Sequence, residues 1–239
     1  MDQKIRKIIE NSILNARKQE KEFLLFGSIM IYVQDPLISD EVDFNKIVDF
    51  IEKRARSPLF DASHLFDGID VIYVGEFDEI IDRELEAFYE SGAIFITNIL
   101  NSNFDYVENI VHEVAHSIEE SHGLQIYGDH KLNNEFLGKR NRLFSIIKSQ
   151  GYDIDHLEPL NPEYQEEMDM FLYQDVGYDK LNYLINGLFF NPYAVTSLSE
   201  YFASGLENYL LDTEGRRKVT EFSPQLVKKL EELINGYQN

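Results

Sequence analysis

The sequence lacks cysteine and tryptophan and has only six prolines among its 239 residues. Without cysteine, the chain has no disulfide, thiolate nucleophile, iron–sulfur cluster or zinc ribbon. Positive charge is also scarce, since 22 Lys and Arg stand against 43 Asp and Glu, for a formal net charge of −21. A surface this negative repels phosphate backbones and anionic lipids, so we expect neither nucleic-acid binding nor docking on membranes.

Long hydrophobic runs are missing as well, because no stretch approaches the roughly 18–20 apolar residues of a membrane-spanning helix. Residues 1–22 alternate isoleucines with charges, which predicts an amphipathic helix and not a signal peptide. We therefore expect a cytoplasmic protein without membrane insertion. The chain is still 44% hydrophobic, with 17 Phe and 14 Tyr, which is enough to bury a core.

Hydrophobic periodicity divides the chain into a mixed first part and a helical second part. The first part, 1–122, predicts strands at 23–33, 69–74 and 93–97 and helices at 1–22, 43–56, 77–89 and 103–121, the last ended by Gly123. The second part, 123–239, predicts helices at 133–149, 163–174, 179–189, 197–211 and 223–237. We therefore expect a single α+β domain spanning 1–239, with a small mixed sheet in its first half.

The motif H-E-x-x-H occurs once, in residues 111–116, V-H-E-V-A-H. On a helix, His112 and His116 are one turn apart and share a face, so they can hold one metal ion. Glu113 lies about 100° around the helix, where it can act as a general base without being a ligand. The flanking apolar residues lie on the opposite face: Val107, Ile110, Val111, Val114 and Ile118. The pattern thus predicts a metal-binding helix that lines a cleft.

A zinc hydrolase usually has three protein ligands and one open position, and two residues compete for the third. His122 follows His116 by six residues, as in metzincins, but Glu119 stands where that pattern requires glycine. Glu200 lies on a second predicted helix beside the small residues Ala203 and Ser204, which allow close helix contact. However, Ser197 and Glu200 also fit a helix capping box. The residues alone leave these readings open.

The combination of V-H-E-V-A-H with the downstream S-E-Y-F-A resembles the gluzincin zinc peptidases, most of all the anthrax-lethal-factor-like family, over roughly residues 100–237. The resemblance implies a zincin-like fold, one Zn²⁺ ion, and Glu200 as the third ligand beside His112 and His116. It also implies that Tyr193, seven residues before that glutamate, stabilises the oxyanion. The chain departs from the lethal factor catalytic domain in its longer segment between Glu119 and Tyr193.

These observations predict a zinc-dependent endopeptidase acting on protein or peptide substrates, with Glu113 and Tyr193 as catalytic residues. The alternatives are a regulatory metal-binding protein on a zincin scaffold and a dedicated toxin or effector protease. The strand at 93–97 could run along the substrate cleft or be buried in the sheet. The acidic charge, if concentrated at the cleft, predicts a preference for basic or neutral peptides.

Overall fold

A five-stranded sheet forms one layer of the computed structural model, which describes residues 21–57 and 60–236. The strands of this sheet and of a separate ribbon are β1 (Lys21–Leu25), β2 (Ile29–Val33), β3 (Arg56–Ser57), β4 (Phe60–Asp61), β5 (Val71–Gly75), β6 (Ala87–Glu90) and β7 (Ala93–Thr97). The sheet order is β1-β2-β5-β7-β6, and β3 pairs with β4. Strands β2, β5 and β7 run parallel, whereas the edge strands β1 and β6 are antiparallel to their neighbours.

Helices make up most of the second half of the chain. The described helices are α1 (Phe44–Ala55), α2 (Asp78–Arg83), α3 (Asn103–Tyr127), α4 (Lys131–Ser149), α5 (Glu166–Met170), α6 (Tyr178–Leu184), α7 (Leu198–Leu211), α8 (Thr213–Phe222) and α9 (Pro224–Asn235). Helix α5 continues as a π-helical segment, Phe171–Val176, and 3₁₀ turns lie at Ser63–Phe66 and Tyr193–Val195. The predicted α+β class with a mainly helical second half is confirmed. None of the described helices is long and apolar enough to span a bilayer.

The core lies between the sheet and the long helix α3, with α7 packed on the other side of that helix. Alternate side chains of the central strands face α3, because successive strand residues point to opposite faces. The inward set is completely buried and consists of Ile72, Val74, Ile94 and Ile96. The apolar stripe predicted on α3 is buried as well and comprises Val107, Ile110, Val111, Val114 and Ile118. This packing fixes the rotation of α3 about its axis.

Two first-half predictions need correction, the first in the continuity of a strand and the second in element type. The predicted strand 23–33 is a hairpin, because Phe26 and Gly27 adopt positive φ angles of 53° and 74° and reverse the chain between β1 and β2. The predicted helix 77–89 stops after α2 at Glu84, whose φ is 54°, and the chain continues as edge strand β6. The expected helix at 1–22 lies outside the described residues, except for Lys21 and Glu22 at the start of β1.

The second half needs smaller corrections. Helix α3 runs through Gly123 to Tyr127, so Gly123 is not a helix stop, and Ile126 beyond it is completely buried. A positive φ would have favoured glycine as a stop, whereas here buried contacts continue the helix. The helix α8 was not predicted; it begins at the cap of Asp212, whose carboxylate accepts from the Gly215 N–H at 2.7 Å.

Candidate metal centre

Helix α3 presents His112 and His116 to the cleft. It begins with a capping box in which the Ser102 hydroxyl accepts from the Asp105 N–H, and the Asp105 carboxylate accepts from the Ser102 N–H. The two imidazole rings lie 5.2 Å apart between centroids, on the face opposite the buried stripe. The one-turn spacing has therefore produced the shared histidine face that the motif predicted.

Glu200 lies in the first turn of α7, directly opposite these histidines. Its carboxylate oxygens lie 2.9 Å from His112 Nε2 and 3.7 Å from His116 Nε2. The backbone N–H of Glu200 donates to the Ser197 hydroxyl at 3.0 Å, so Ser197 does cap the helix. The glutamate side chain, however, points to the histidines and does not close a capping box. Candidate ligand atoms of His112, His116 and Glu200 all lie within 4.8 Å of one another.

The structure does not bring His122 to this group. Its ring lies near the far end of α3, where Nδ1 is 2.7 Å from the Ser121 hydroxyl. His122 lines a separate cavity of about 220 Å³ together with His64 and Leu233. Because α3 continues without a turn at Glu119, the chain never folds back toward the metal face, as the metzincin arrangement would require.

A carboxylate contacts the Nδ1 atom of each metal-site histidine. Glu119 Oε2 lies 2.8 Å from His116 Nδ1, and Glu207 Oε2 lies 3.4 Å from His112 Nδ1. Glu119 also accepts hydrogen bonds from the Ser199 hydroxyl at 2.7 Å and from the Tyr127 hydroxyl. The partners Ser199 and Tyr127 were not predicted, because nothing in the local pattern relates them to the motif. Such outer partners fix ring orientation in metal sites.

The carboxylates outweigh burial in setting the charge of the histidines. Burial would lower the pKa of His112, but hydrogen bonds to Glu200 and Glu207 raise it to about 10. Burial likewise opposes protonation of His116, whose pKa is nevertheless raised by the hydrogen bond to Glu119 and the charge of Glu200. The local potential is therefore strongly negative and favours a cation between the two helices.

Glu113 is buried, with only 7% of its surface exposed, next to the histidines and edge strand β6. Burial raises the pKa of its carboxyl above the ordinary value, although His116, His112 and a hydrogen bond from the Tyr89 backbone act in the opposite direction. It lines the same cleft as the three candidate ligands. This position suits a proton acceptor beside a metal-binding group.

Tyr193 lies on the 3₁₀ turn that precedes α7, and 40% of its surface is exposed. Its ring centroid lies 6.1 Å from that of His112. Partial burial raises the pKa of its hydroxyl, with the charges of Glu200 and Glu113 acting in the same direction. The phenol therefore stays protonated at neutral pH and can donate a hydrogen bond into the cleft.

A cleft of about 950 Å³ contains all five predicted site residues. One wall is the edge strand β6 and not β7, which lies inside the sheet between β5 and β6. The acidic residues that line the cleft are Glu79, Glu84, Glu86, Glu90, Glu108, Glu113, Glu200 and Glu207. Arg83 is the one Lys or Arg among its described lining residues. The cleft wall is thus rich in negative charge.

Glu108 shows how crowded these carboxylates are. It lies one helical turn before His112 and is half-buried. Burial raises the pKa of Glu108 to about 7, and the charges of Glu207 and Asp105 contribute in the same direction. Glu108 therefore adds a carboxyl group to the cleft wall one helical turn from His112.

The donor set fits zinc, which binds imidazole nitrogen and carboxylate oxygen and keeps an open position in hydrolases. Two histidines and one glutamate converge at the floor of an open cleft, and each histidine is held on its other nitrogen by a carboxylate. No protein-family model, curated protein or solved structure matches this chain.

Proposed function

We propose that the protein is a zinc-dependent endopeptidase with a zincin-like fold, as its resemblance to the anthrax-lethal-factor-like family implies. One observation carries the proposal: His112, His116 and Glu200 converge on one point of a cleft that also contains Glu113. A structural metal site needs three or four ligands but no buried carboxylate beside them. The neighbouring Glu113 therefore favours hydrolysis over the regulatory, non-catalytic alternative.

In this proposal, His112, His116 and Glu200 hold the zinc ion, which supplies Lewis acidity for the attacking water and the scissile carbonyl. Glu113 accepts a proton from the attacking water and delivers it to the leaving amine. Tyr193 donates a hydrogen bond to the oxyanion of the tetrahedral intermediate. Glu119 and Glu207 hold the histidine rings in the orientation that turns each Nε2 toward the metal.

The edge strand β6 provides the proposed binding surface for an extended peptide. In the hairpin with β7, the Thr97 N–H donates to the Glu86 carbonyl, and paired positions alternate between bonded and non-bonded. This register turns the backbone groups of Ala87 and Tyr89 away from β7 and toward the cleft, where the Tyr89 backbone N–H already donates to the Glu113 carboxylate. A substrate that adds to this edge as a further strand would pass the metal site with its backbone fixed.

The test is a degenerate peptide-library cleavage assay combined with metal analysis, comparing the wild type with Glu113→Gln. The variant keeps the size of the side chain and the three ligands, so we expect it to bind zinc normally. Loss of the general base should lower turnover by about 10²–10⁴-fold. The matched control is Glu231→Gln, which removes the same charge from the exposed surface of α9.

Two results would contradict the proposal. If Glu113→Gln cleaves peptides at the wild-type rate, Glu113 is not the base. If the wild type binds one zinc ion tightly but hydrolyses no peptide in the library, the regulatory alternative replaces the endopeptidase.

A further inference from the structure

Arg140 lies in the middle of α4 and is completely buried. Its guanidinium lies over the Phe136 ring, 4.6 Å from the centroid, and its hydrogen bonds in the described chain all go to backbone carbonyls. Nε donates to the Pro159 carbonyl at 2.8 Å, and Nη2 donates to the Asn161 carbonyl. Nη1 lies 3.1 Å from the Thr196 carbonyl and 3.3 Å from the Val195 carbonyl. One side chain therefore joins α4 to two irregular segments of the chain.

A buried arginine of this kind has a particular consequence. No carboxylate pairs with Arg140 in the described structure, and burial is the cause that lowers its pKa, to about 10. It remains charged at neutral pH, so its desolvation is offset by carbonyl dipoles and by the face of the Phe136 ring. A well-packed apolar side chain of similar volume often stabilises a core equally well or better. What the guanidinium adds is fixed geometry, because its planar array of donors matches several acceptors at once.

The second segment held by Arg140 carries Tyr193. The carbonyls of Val195 and Thr196 belong to the turn between Tyr193 and the N-cap of α7. The same turn is held from inside by the Asn191 amide oxygen, which accepts from the Ala194 N–H at 2.7 Å. It is also tied to the first segment, since the Leu198 N–H donates to the Pro162 carbonyl at 2.8 Å. Tyr193 is the exposed member of an otherwise buried turn.

We propose that Arg140 is a positioning residue that fixes the Tyr193 turn over the metal centre by binding the carbonyls of Val195 and Thr196. It does not reach the cleft and acts only through the backbone. This gives the long segment between Glu119 and Tyr193 a role: α4 and the connection at 157–162 support the wall opposite β6. The catalytic consequence rests on the proposed peptidase function, whereas the fixing of the turn does not.

The first measurement follows the backbone itself. Hydrogen exchange of the zinc-loaded protein should be faster at 157–162 and 191–198 in Arg140→Lys, which keeps the charge but loses the planar donor array. The control is Lys229→Met, because Lys229 is also a buried cation that donates to a backbone carbonyl, that of Gln125, at 2.9 Å, although it pairs with Asp129 as well. This control should leave exchange at 191–198 unchanged. Unchanged exchange at 191–198 in Arg140→Lys would overturn the proposal, whether or not the protein proves to be a peptidase.

The second measurement separates positioning from general destabilisation. In Arg140→Lys we expect kcat to fall about 10- to 100-fold, with zinc content and KM close to wild type, since a small displacement of a positioned group has effects of this size. In the Tyr193→Phe background, Arg140→Lys should have little further effect on kcat. Both changes act on the same interaction, the hydrogen bond that the Tyr193 hydroxyl donates in the cleft. Additive losses in this cycle would mean that Arg140 is merely structural. A wild type without peptidase activity would refute the proposed function and the catalytic role together, leaving the exchange result to decide the backbone role.

Discussion

Two partly buried polar clusters lie on different sides of α7, and adjacent residues of that helix, about 100° apart, belong to different clusters. Glu200 points to the metal-site cluster, whose described members are His112, His116, Glu119, Glu200 and Glu207. Tyr201 is completely buried and points to a second cluster, the helix-junction cluster of Glu135, Lys139, Tyr201 and Ser223. One helix therefore contributes neighbouring side chains to two clusters that contain different sets of charged groups.

The helix-junction cluster contains its own cation. Lys139 Nζ donates to the hydroxyls of Tyr201 and Ser223, both at 2.6 Å, and lies 4.9 Å from the Tyr201 ring centroid. Glu135 accepts from the Tyr201 hydroxyl at 3.0 Å and from the Gln225 N–H at 2.8 Å, which caps α9. One carboxylate and one ammonium therefore share the junction of α4, α7 and α9.

The metal-site cluster has no Lys or Arg among its described members. Three carboxylates, Glu119, Glu200 and Glu207, surround two histidines, and Glu108 and Glu113 lie close by. Like charges this close raise one another's free energy unless a cation is bound. The helix-junction cluster thus pairs its carboxylate with a lysine of the chain, whereas the proposed zinc ion would balance the carboxylates of the metal-site cluster.

Among variants of the metal-site cluster, Glu200→Ala is expected to have the largest effect on zinc affinity. Removing a proposed ligand should weaken zinc binding by more than the roughly 10- to 100-fold typical of outer partners. His122 was the other candidate for the third ligand, so His122→Ala is the control. This variant should bind zinc like the wild type. Zinc dissociation constants from chelator competition decide between them. The reverse result would favour a metzincin-like ligand set.

Glu119→Gln should have the next largest effect, because it weakens the orientation of His116 without removing a ligand. We expect zinc affinity to fall by about 10- to 100-fold. Glu120→Gln is the matched control, since its side chain points away to the Tyr89 hydroxyl on β6. The zinc affinity of Glu207→Gln should lie between those of Glu119→Gln and Glu120→Gln, because the contact of Glu207 with His112 is longer than that of Glu119 with His116. Equal affinities in all three variants would show that the outer carboxylates do not position the rings.

The shared face of His112 and His116 was predictable from the sequence because it follows from helix periodicity, which is local. The spacing of His112 and His116 and the apolar stripe behind them follow from helix periodicity, and family resemblance selected Glu200. The partners Ser199 and Tyr127 were not predictable, because their contact with Glu119 depends on the distance between α3 and α7 and on how far α3 extends. Arg140 escaped notice for the same reason: its acceptors are backbone atoms, which leave no trace in the sequence.

The fold was predictable where one hydrophobic period, helical or strand-like, continues along a segment. It was not predictable where the chain reverses or changes element type within a segment. Strands β5 and β7 and helices α1, α4 and α7 were identified because each has one continuous pattern. The failures at 23–33 and 77–89 both contain a reversal set by residues with positive φ, Phe26 with Gly27 and Glu84. Phenylalanine and glutamate seldom adopt that conformation, so they gave no turn signal. The structural consequence is important, since the second failure concealed the cleft strand β6.

A smaller effect is expected from the acidic wall of the cleft, which extends the charge excess of the metal-site cluster. Basic peptides should be cleaved with a higher kcat/KM than acidic ones, by about tenfold at low salt, and the ratio should shrink as ionic strength rises. The double variant Glu84→Gln/Glu90→Gln on this wall should reduce the preference, whereas Glu231→Gln/Glu232→Gln on α9 should not. A preference that is independent of salt would assign specificity to shape instead of charge.

The smallest effect tests the helix-junction cluster through the pH dependence of stability. Burial lowers the pKa of Lys139 from 10.5 to about 8, although the charge of Glu135 opposes this. Between these two pH values the unfolded chain binds more protons than the folded protein, so the free energy of unfolding should rise with pH there. We expect the wild type to gain on the order of 1 kcal/mol between pH 7 and 9.5 relative to Lys139→Met. Urea unfolding of both proteins at each pH measures this difference, and parallel pH profiles would show that the ammonium at the junction is as well solvated as in the unfolded chain.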